Sequence, residues 1–134
     1  MITTNSPGLF LKQRLLELGF INFQVRYIVA QAAFETANFT SPIYLENHNL
    51  FGMRYAGQKL ALGSKSGYAY YKDDNDSILD YMAYYKLNKY EDYYPSLEAF
   101  VSALKSRGYF TALPQDYYKG VKYFMNIYYP DNGV

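Results

Sequence analysis

The sequence contains no cysteine, which excludes a disulfide framework and thiolate metal sites together. The redox compartment stays open, because folding then depends on neither oxidising nor reducing conditions. A single histidine, His48, supplies too few imidazoles for a zinc site, so no metal and no cofactor is expected. A surplus of either charge is also lacking. With 13 basic and 12 acidic side chains the formal net charge is +1, and nothing steers the chain toward nucleic acid or an anionic membrane. No apolar run approaches the roughly 18 residues of a membrane span. The opening "MITTNSPGLFLKQRLLELG" has no basic region followed by a continuous apolar stretch, so no export signal is expected. Tryptophan is absent too.

Tyrosine takes its place: 18 tyrosines and 9 phenylalanines stand in 134 residues, half of which are apolar. That length and apolar share fit one domain over residues 1–134 with a single core. Tyrosine joins a large apolar ring to a polar tip, so a surplus can line a core boundary or a sugar-stacking groove, the boundary being the commoner fate of any one ring.

Ser6-Pro7-Gly8 opens a first helix whose Leu9, Leu11, Leu15, Leu16 and Leu18 form a stripe that Gly19 ends. Asn22 is placed to cap a second helix, "FQVRYIVAQAAFET", with Asn38 suited to the left-handed conformation that closes a helix. From Ser41 to Lys72 the helical period vanishes. Pro42, Gly52, Gly57, Gly63 and Gly67 punctuate pieces such as "LFGMRYA" and "GYAYYK", which predict a small β-hairpin lobe. Asp76 or Ser77 is expected to cap a third helix with Ile78, Leu79, Met82 and Tyr85 on one face. Ser96 caps a fourth, striped by Leu97, Phe100, Val101 and Leu104 and ended by Gly108. The stretch "DYYKGVKYFMNIYYP" carries Tyr117, Val121, Phe124 and Tyr128 and stops at Pro130. The expected fold class is mainly α, about five helices with a small β-hairpin lobe inserted after the second.

One residue breaks the pattern of the second helix. Val25, Ile28, Val29 and Ala32 repeat at the spacing of one helix face, and the next position on it is Glu35. An ionised carboxylate on an apolar face is costly, so it finds a partner or holds its proton. Arg26, Arg54 or Lys72 could pair with Glu35 in a structural ion pair. A proton-bearing glutamate in an apolar pocket is also what glycoside hydrolysis needs to protonate its departing oxygen, as in lysozyme. Position alone leaves both readings open.

"AQAAFET" followed by "NLFGMR" resembles the alanine/leucine-glutamate-threonine and asparagine-leucine-phenylalanine-glycine motifs of the bacterial and phage β-N-acetylglucosaminidases of glycoside hydrolase family 73. Farther on, "AYYKDDNDSILDYMAYY" is similar to the family's aromatic strand running into the next helix. "SALKSRGYFTALPQDYYKGV" is similar to its glycine-tyrosine-alanine-threonine segment before the last helix. Four segments in the right order are far more specific than one. The resemblance implies a lysozyme-like fold and a peptidoglycan hydrolase that cleaves glycan strands after N-acetylglucosamine. It implies Glu35 as the catalytic acid and Tyr109 beside it, orienting a water or the substrate's acetamido group. Asn49, Phe51, Tyr70 and Tyr117 are then the expected substrate-binding residues, although packing suits Phe51 as well, and Asn49 can hold either the loop or the sugar. Such an enzyme acts at the bacterial cell wall or periplasm. Without a signal peptide, the expected setting is a phage lysin or a virion-borne wall enzyme.

The chain departs from the family pattern in three places. "ANF" follows Glu35-Thr36 where a glycine-tryptophan-glycine stretch is common, with Phe39 as the replacement ring. "FTALP" carries an insertion that leaves Tyr117 and Tyr118 as alternatives. No Asp or Glu lies between Phe51 and Lys72, where a second carboxylate is proposed for many members. Inversion wants that group roughly 6.5–9.5 Å from the acid and retention about 5–5.5 Å. Asp73, Asp74 and Glu46 are the candidates, with the substrate's own 2-acetamido oxygen favoured over them. His48 reads as a loop residue, since no nucleophile pattern surrounds it. Two rivals remain: a lytic transglycosylase or muramidase of the same fold, and a non-catalytic wall-binding or virion structural module.

Overall fold

The computed structural model describes residues 6–131, so the first five residues of the opening tested above for an export signal lie outside the described residues. Ser6 Oγ accepts the Leu9 amide proton at 3.0 Å and Pro7 fills the first turn, which starts α1 (Pro7–Glu17) where the sequence predicts it. Leu11 and Leu15 enter the core, while Leu16 stays exposed. Gly19, at φ +101°, turns the chain into α2 (Asn22–Glu35). Asn22 is not its cap: Ile21 holds that position and offers no side-chain hydrogen bond.

Residues Gln24 to Ala33 of α2 are all buried, so this helix has no solvent face. Its apolar side packs as expected, and both glutamines of its buried stretch make a hydrogen bond in the core, though Gln31 Nε2 has no partner among the described residues. Gln24 Nε2 donates to the Tyr85 hydroxyl at 3.0 Å, and the Tyr81 hydroxyl donates to Gln31 Oε1 at 2.7 Å.

A one-turn helix, α3 (Pro42–Leu45), follows. It is too short to show a period, which is why the sequence reading missed it. Strands β1 (Gly63–Lys65) and β2 (Tyr68–Tyr70) pair antiparallel across a two-residue turn, Ser66-Gly67, with φ +55° and +84°. "LFGMRYA" adds only an isolated bridge, Arg54 to Tyr68. Helix α4 (Asp74–Leu87) is capped by Asp73, whose carboxylate accepts from the Asp76 amide at 2.9 Å, so Asp76 and Ser77 lie inside the helix rather than at its cap. Ser77 Oγ instead accepts from the Leu50 amide at 3.1 Å. Ser96 caps α5 (Leu97–Ser106) as predicted, and α6 (Pro114–Tyr128) starts two residues ahead of the stretch read from the sequence.

The result is the mainly α, lysozyme-like arrangement expected, with six helices rather than five and one small antiparallel hairpin among the described residues. α1 and α6 pack along α2, and α5 packs on α6. The β lobe is tied to α4 by the Tyr71 hydroxyl, which donates to the buried Asp80 carboxylate. None of the described helices is long and apolar enough to cross a membrane.

Candidate active site

Glu35 ends α2 at the wall of a cleft of about 750 Å³ that separates the helices from the β lobe. Behind it the chain makes a left-handed turn, with Ala37, Asn38 and Phe39 at φ +51°, +58° and +63°. Only Asn38 was expected there. Each left-handed residue other than glycine costs about 1–2 kcal/mol, so the turn needs support. Thr36 Oγ1 accepts from the Phe39 amide at 2.9 Å, and the Tyr128 hydroxyl donates to Asn38 Oδ1 at 2.6 Å. Phe39 is buried edge-on against Tyr44 and Tyr128.

Burial pushes the Glu35 carboxyl up from 4.5 to about 7, and the Tyr117 hydroxyl, donating to Oε2 at 2.7 Å, restrains the rise. Gly52 closes on the other oxygen. It stands at φ +68°, and a Cβ there would lie 2.8 Å from Oε1. The ion-pair alternative fails: Lys72 pairs with Asp76 at 3.8 Å, and Arg26 Nε donates to the Phe23 carbonyl at 3.0 Å. The Arg54 guanidinium lies over the Tyr68 ring. A glutamate whose burial favours the proton-bearing form, beside open space and with no ion pair to a cation among the described residues, is the arrangement an acid catalyst of glycoside cleavage requires. The glucosaminidase family model, described as mannosyl-glycoprotein endo-β-N-acetylglucosaminidase, matches residues 19–130. The chain belongs to this family.

It is therefore a glycoside hydrolase, a peptidoglycan-hydrolysing glucosaminidase whose place of action is the cell wall. No curated protein and no solved structure matches it.

The glucosaminidase brings Glu35, Tyr109 and Tyr117 to one cleft. Tyr117 stacks on Phe110 with ring centres 3.9 Å apart, whereas the Tyr118 hydroxyl accepts from Lys122 on the outer side, so of the two it is Tyr117 that lines the cleft. The Tyr109 hydroxyl donates to the Phe51 carbonyl. Its proton clamps the loop that carries Gly52, leaving only lone pairs for a substrate.

Three expected sugar contacts need correction. Asn49 is fully buried, its amide donating to the Met53 and Ala69 carbonyls at 2.9 Å and its oxygen accepting from the Met53 amide at 3.1 Å, so it holds the loop. Phe51 is fully buried too, stacked 3.9 Å from Tyr81. Tyr70 lies against Gly63 and the Lys65 ammonium; the ring of that strand that lines the cleft is Tyr68.

Of the candidate second carboxylates, Asp73 is committed to its cap. Asp74 accepts from the Tyr44 hydroxyl at 2.7 Å and pairs with His48 Nδ1 at 3.0 Å, in a different hollow. Glu46, just past α3, lines the cleft with Glu35, and these two are its carboxylates. Among the described residues no group of three acids or imidazoles is placed to hold a metal ion.

Arg54, Lys65, Tyr68 and Phe110 also line the cleft and were missed. The Lys65–Tyr68 pairing follows from the Ser-Gly turn and was readable; the Arg54 bridge was not. Lys105 shapes the rim from outside, its ammonium donating to the Thr111 and Ala112 carbonyls at 3.1 and 3.0 Å.

Proposed function

We propose that this glucosaminidase, acting as one catalytic domain over residues 1–134, cleaves peptidoglycan strands after N-acetylglucosamine with Glu35 as general acid. The observation that carries the reading is a carboxyl raised to about 7 by burial, at the wall of an open cleft. At neutral pH about half of such groups hold a proton to give. As the bond from C1 to the glycosidic oxygen breaks, that oxygen takes the Glu35 proton and leaves as an alcohol. The sugar ring shares the positive charge left at C1. A water then bonds to C1, and its proton passes to Glu46, the other carboxylate of the cleft. One water is consumed; Glu46 then releases its proton to solvent as Glu35 takes one back. Tyr117 holds the acid in place, and Tyr109 fixes the loop that carries Gly52 against it. A protein carboxylate on the cleft wall supports this Glu46 route over the substrate-assisted one favoured from the sequence.

Mass spectrometry of digested sacculi tests the cleavage side. Reducing N-acetylglucosamine ends are expected, and 1,6-anhydromuramic products would instead assign the chain to lytic transglycosylase chemistry. In zymograms Glu35→Gln should give no clearing beside the parent protein. Equal clearing by both would remove Glu35 from the mechanism.

A further inference from the structure

Arg54, Tyr68 and Lys65 stand on one rung of the β lobe. Arg54 bridges to Tyr68 from one side, and Lys65 is the register partner of Tyr68 on the other. Residues opposite one another across a ladder project to the same face, and all three line the Glu35 cleft. The Arg54 guanidinium lies 4.4 Å from the centre of the Tyr68 ring, and the Lys65 ammonium 4.7 Å from that of Tyr70. Gly67 leaves room for the first of these: a Cβ there would sit 3.1 Å from Arg54 Nη1.

Rings and a turn position these cations; carboxylates do not. The ion pairs among the described residues are Arg14–Glu17, His48–Asp74 and Lys72–Asp76. The cleft is thus divided by charge, with Glu35 and Glu46 on its helical side and Arg54 and Lys65 on the lobe. Neutral sugar rings give no reason to keep two unneutralised cations beside them, whereas an anion on the strand does. The planar guanidinium suits a carboxylate through paired hydrogen bonds, and the ammonium adds a mobile point charge.

We propose that the Arg54–Tyr68–Lys65 rung is a subsite for a carboxylate pendant from the glycan strand, on the lactyl arm of a stem-free muramic acid residue or on the peptide stem of a substituted one. The proposal rests on the reading that a peptidoglycan strand occupies this cleft. It makes the enzyme selective for acid-bearing strands, a property that the acid catalyst alone does not confer.

Binding of soluble, uncrosslinked strands is measured with Glu35→Gln and with the triple variant that adds Arg54→Gln and Lys65→Gln, so that no turnover is needed. Both changed side chains are exposed, and melting curves verify the fold. The triple variant should bind about tenfold more weakly at low salt, with a flatter salt dependence. Amidating the strand carboxylates should weaken Glu35→Gln by the same factor and leave the triple variant unchanged. An amidase separates the two sources, because it removes the stem and frees the lactyl carboxyl that the stem's amide had occupied: a preference as strong or stronger on stripped strands assigns the lactyl carboxylate, a weaker or lost one the stem. Equal binding of carboxylate-bearing strands by both proteins overturns the subsite. If parent and Arg54→Gln/Lys65→Gln enzymes cleave strands with the same KM, the subsite fails and the Glu35 chemistry stands. Strands bound with the predicted charge preference and never cut would reverse that outcome.

Discussion

A hydrogen bond bridging 82 residues of sequence joins the Tyr117 hydroxyl to Glu35 Oε2 at 2.7 Å. It favours the ionised form and so opposes the effect of burial on the same carboxyl. Tyr117→Phe should therefore shift the alkaline limb of the rate profile to higher pH. Loss of positioning should lower kcat on the acid side by about five- to tenfold. A limb that stays put would show that the hydroxyl has no hold on the acid. The pH dependence of kcat on soluble strands is the measurement.

The Glu35 carboxyl, raised from 4.5 to about 7, also predicts how activity and stability respond to pH. Activity needs the proton, so it should fall about tenfold per pH unit above 7. Stability has the same sign. Between 4.5 and 7 the folded chain keeps a proton that the unfolded chain releases, so this contribution is whole below 4.5 and lost as pH rises through 7. The loss amounts to about 3 kcal/mol by pH 8. Glu35→Gln should remove that part of the decline, as urea melts of both proteins at pH 4 and pH 8 would show.

Gly52 predicts a sharp local effect. Gly52→Ala sets a methyl 2.8 Å from Glu35 Oε1 at a backbone φ of +68°. Displacing the acid should cost about a hundredfold in kcat, and the left-handed alanine about 1–2 kcal/mol in stability. Activity assays and thermal melts separate the two losses.

Ala37 predicts the opposite effect on stability. Ala37→Gly relieves a left-handed alanine at φ +51° and should add roughly 0.5–1 kcal/mol, a rise in Tm of about 2–4 °C. Calorimetry of the single variant is sufficient.

The role proposed for Glu46 predicts the stereochemistry. If its carboxylate takes the proton of the attacking water, the first product is the α anomer, visible by proton NMR before mutarotation. Glu46→Gln should then lose about 10²- to 10⁴-fold in kcat. A β product, with Glu46→Gln close to the parent rate, would return the step to the substrate's acetamido oxygen.

The sequence by itself determined the helix ends at Ser6, Gly19, Ser96 and Gly108, and the anomaly at Glu35. Each is written within a turn or two of chain, in a cap, a left-handed glycine or a break in an apolar period. Even there, neighbours in a local run could mislead: in "DDNDS" the cap fell to Asp73 rather than Asp76 or Ser77, since several short polar side chains in one run all suit the place. Tertiary structure alone decided what each polar tip faces. It turned Asn49 and Tyr109 toward carbonyls, sent Asp74 to His48 and Tyr44, placed Glu46 in the cleft, and set Tyr68 rather than Tyr70 on its wall. Those outcomes depend on partners brought from distant parts of the chain, whose approach leaves no mark in the spacing of the residues they meet.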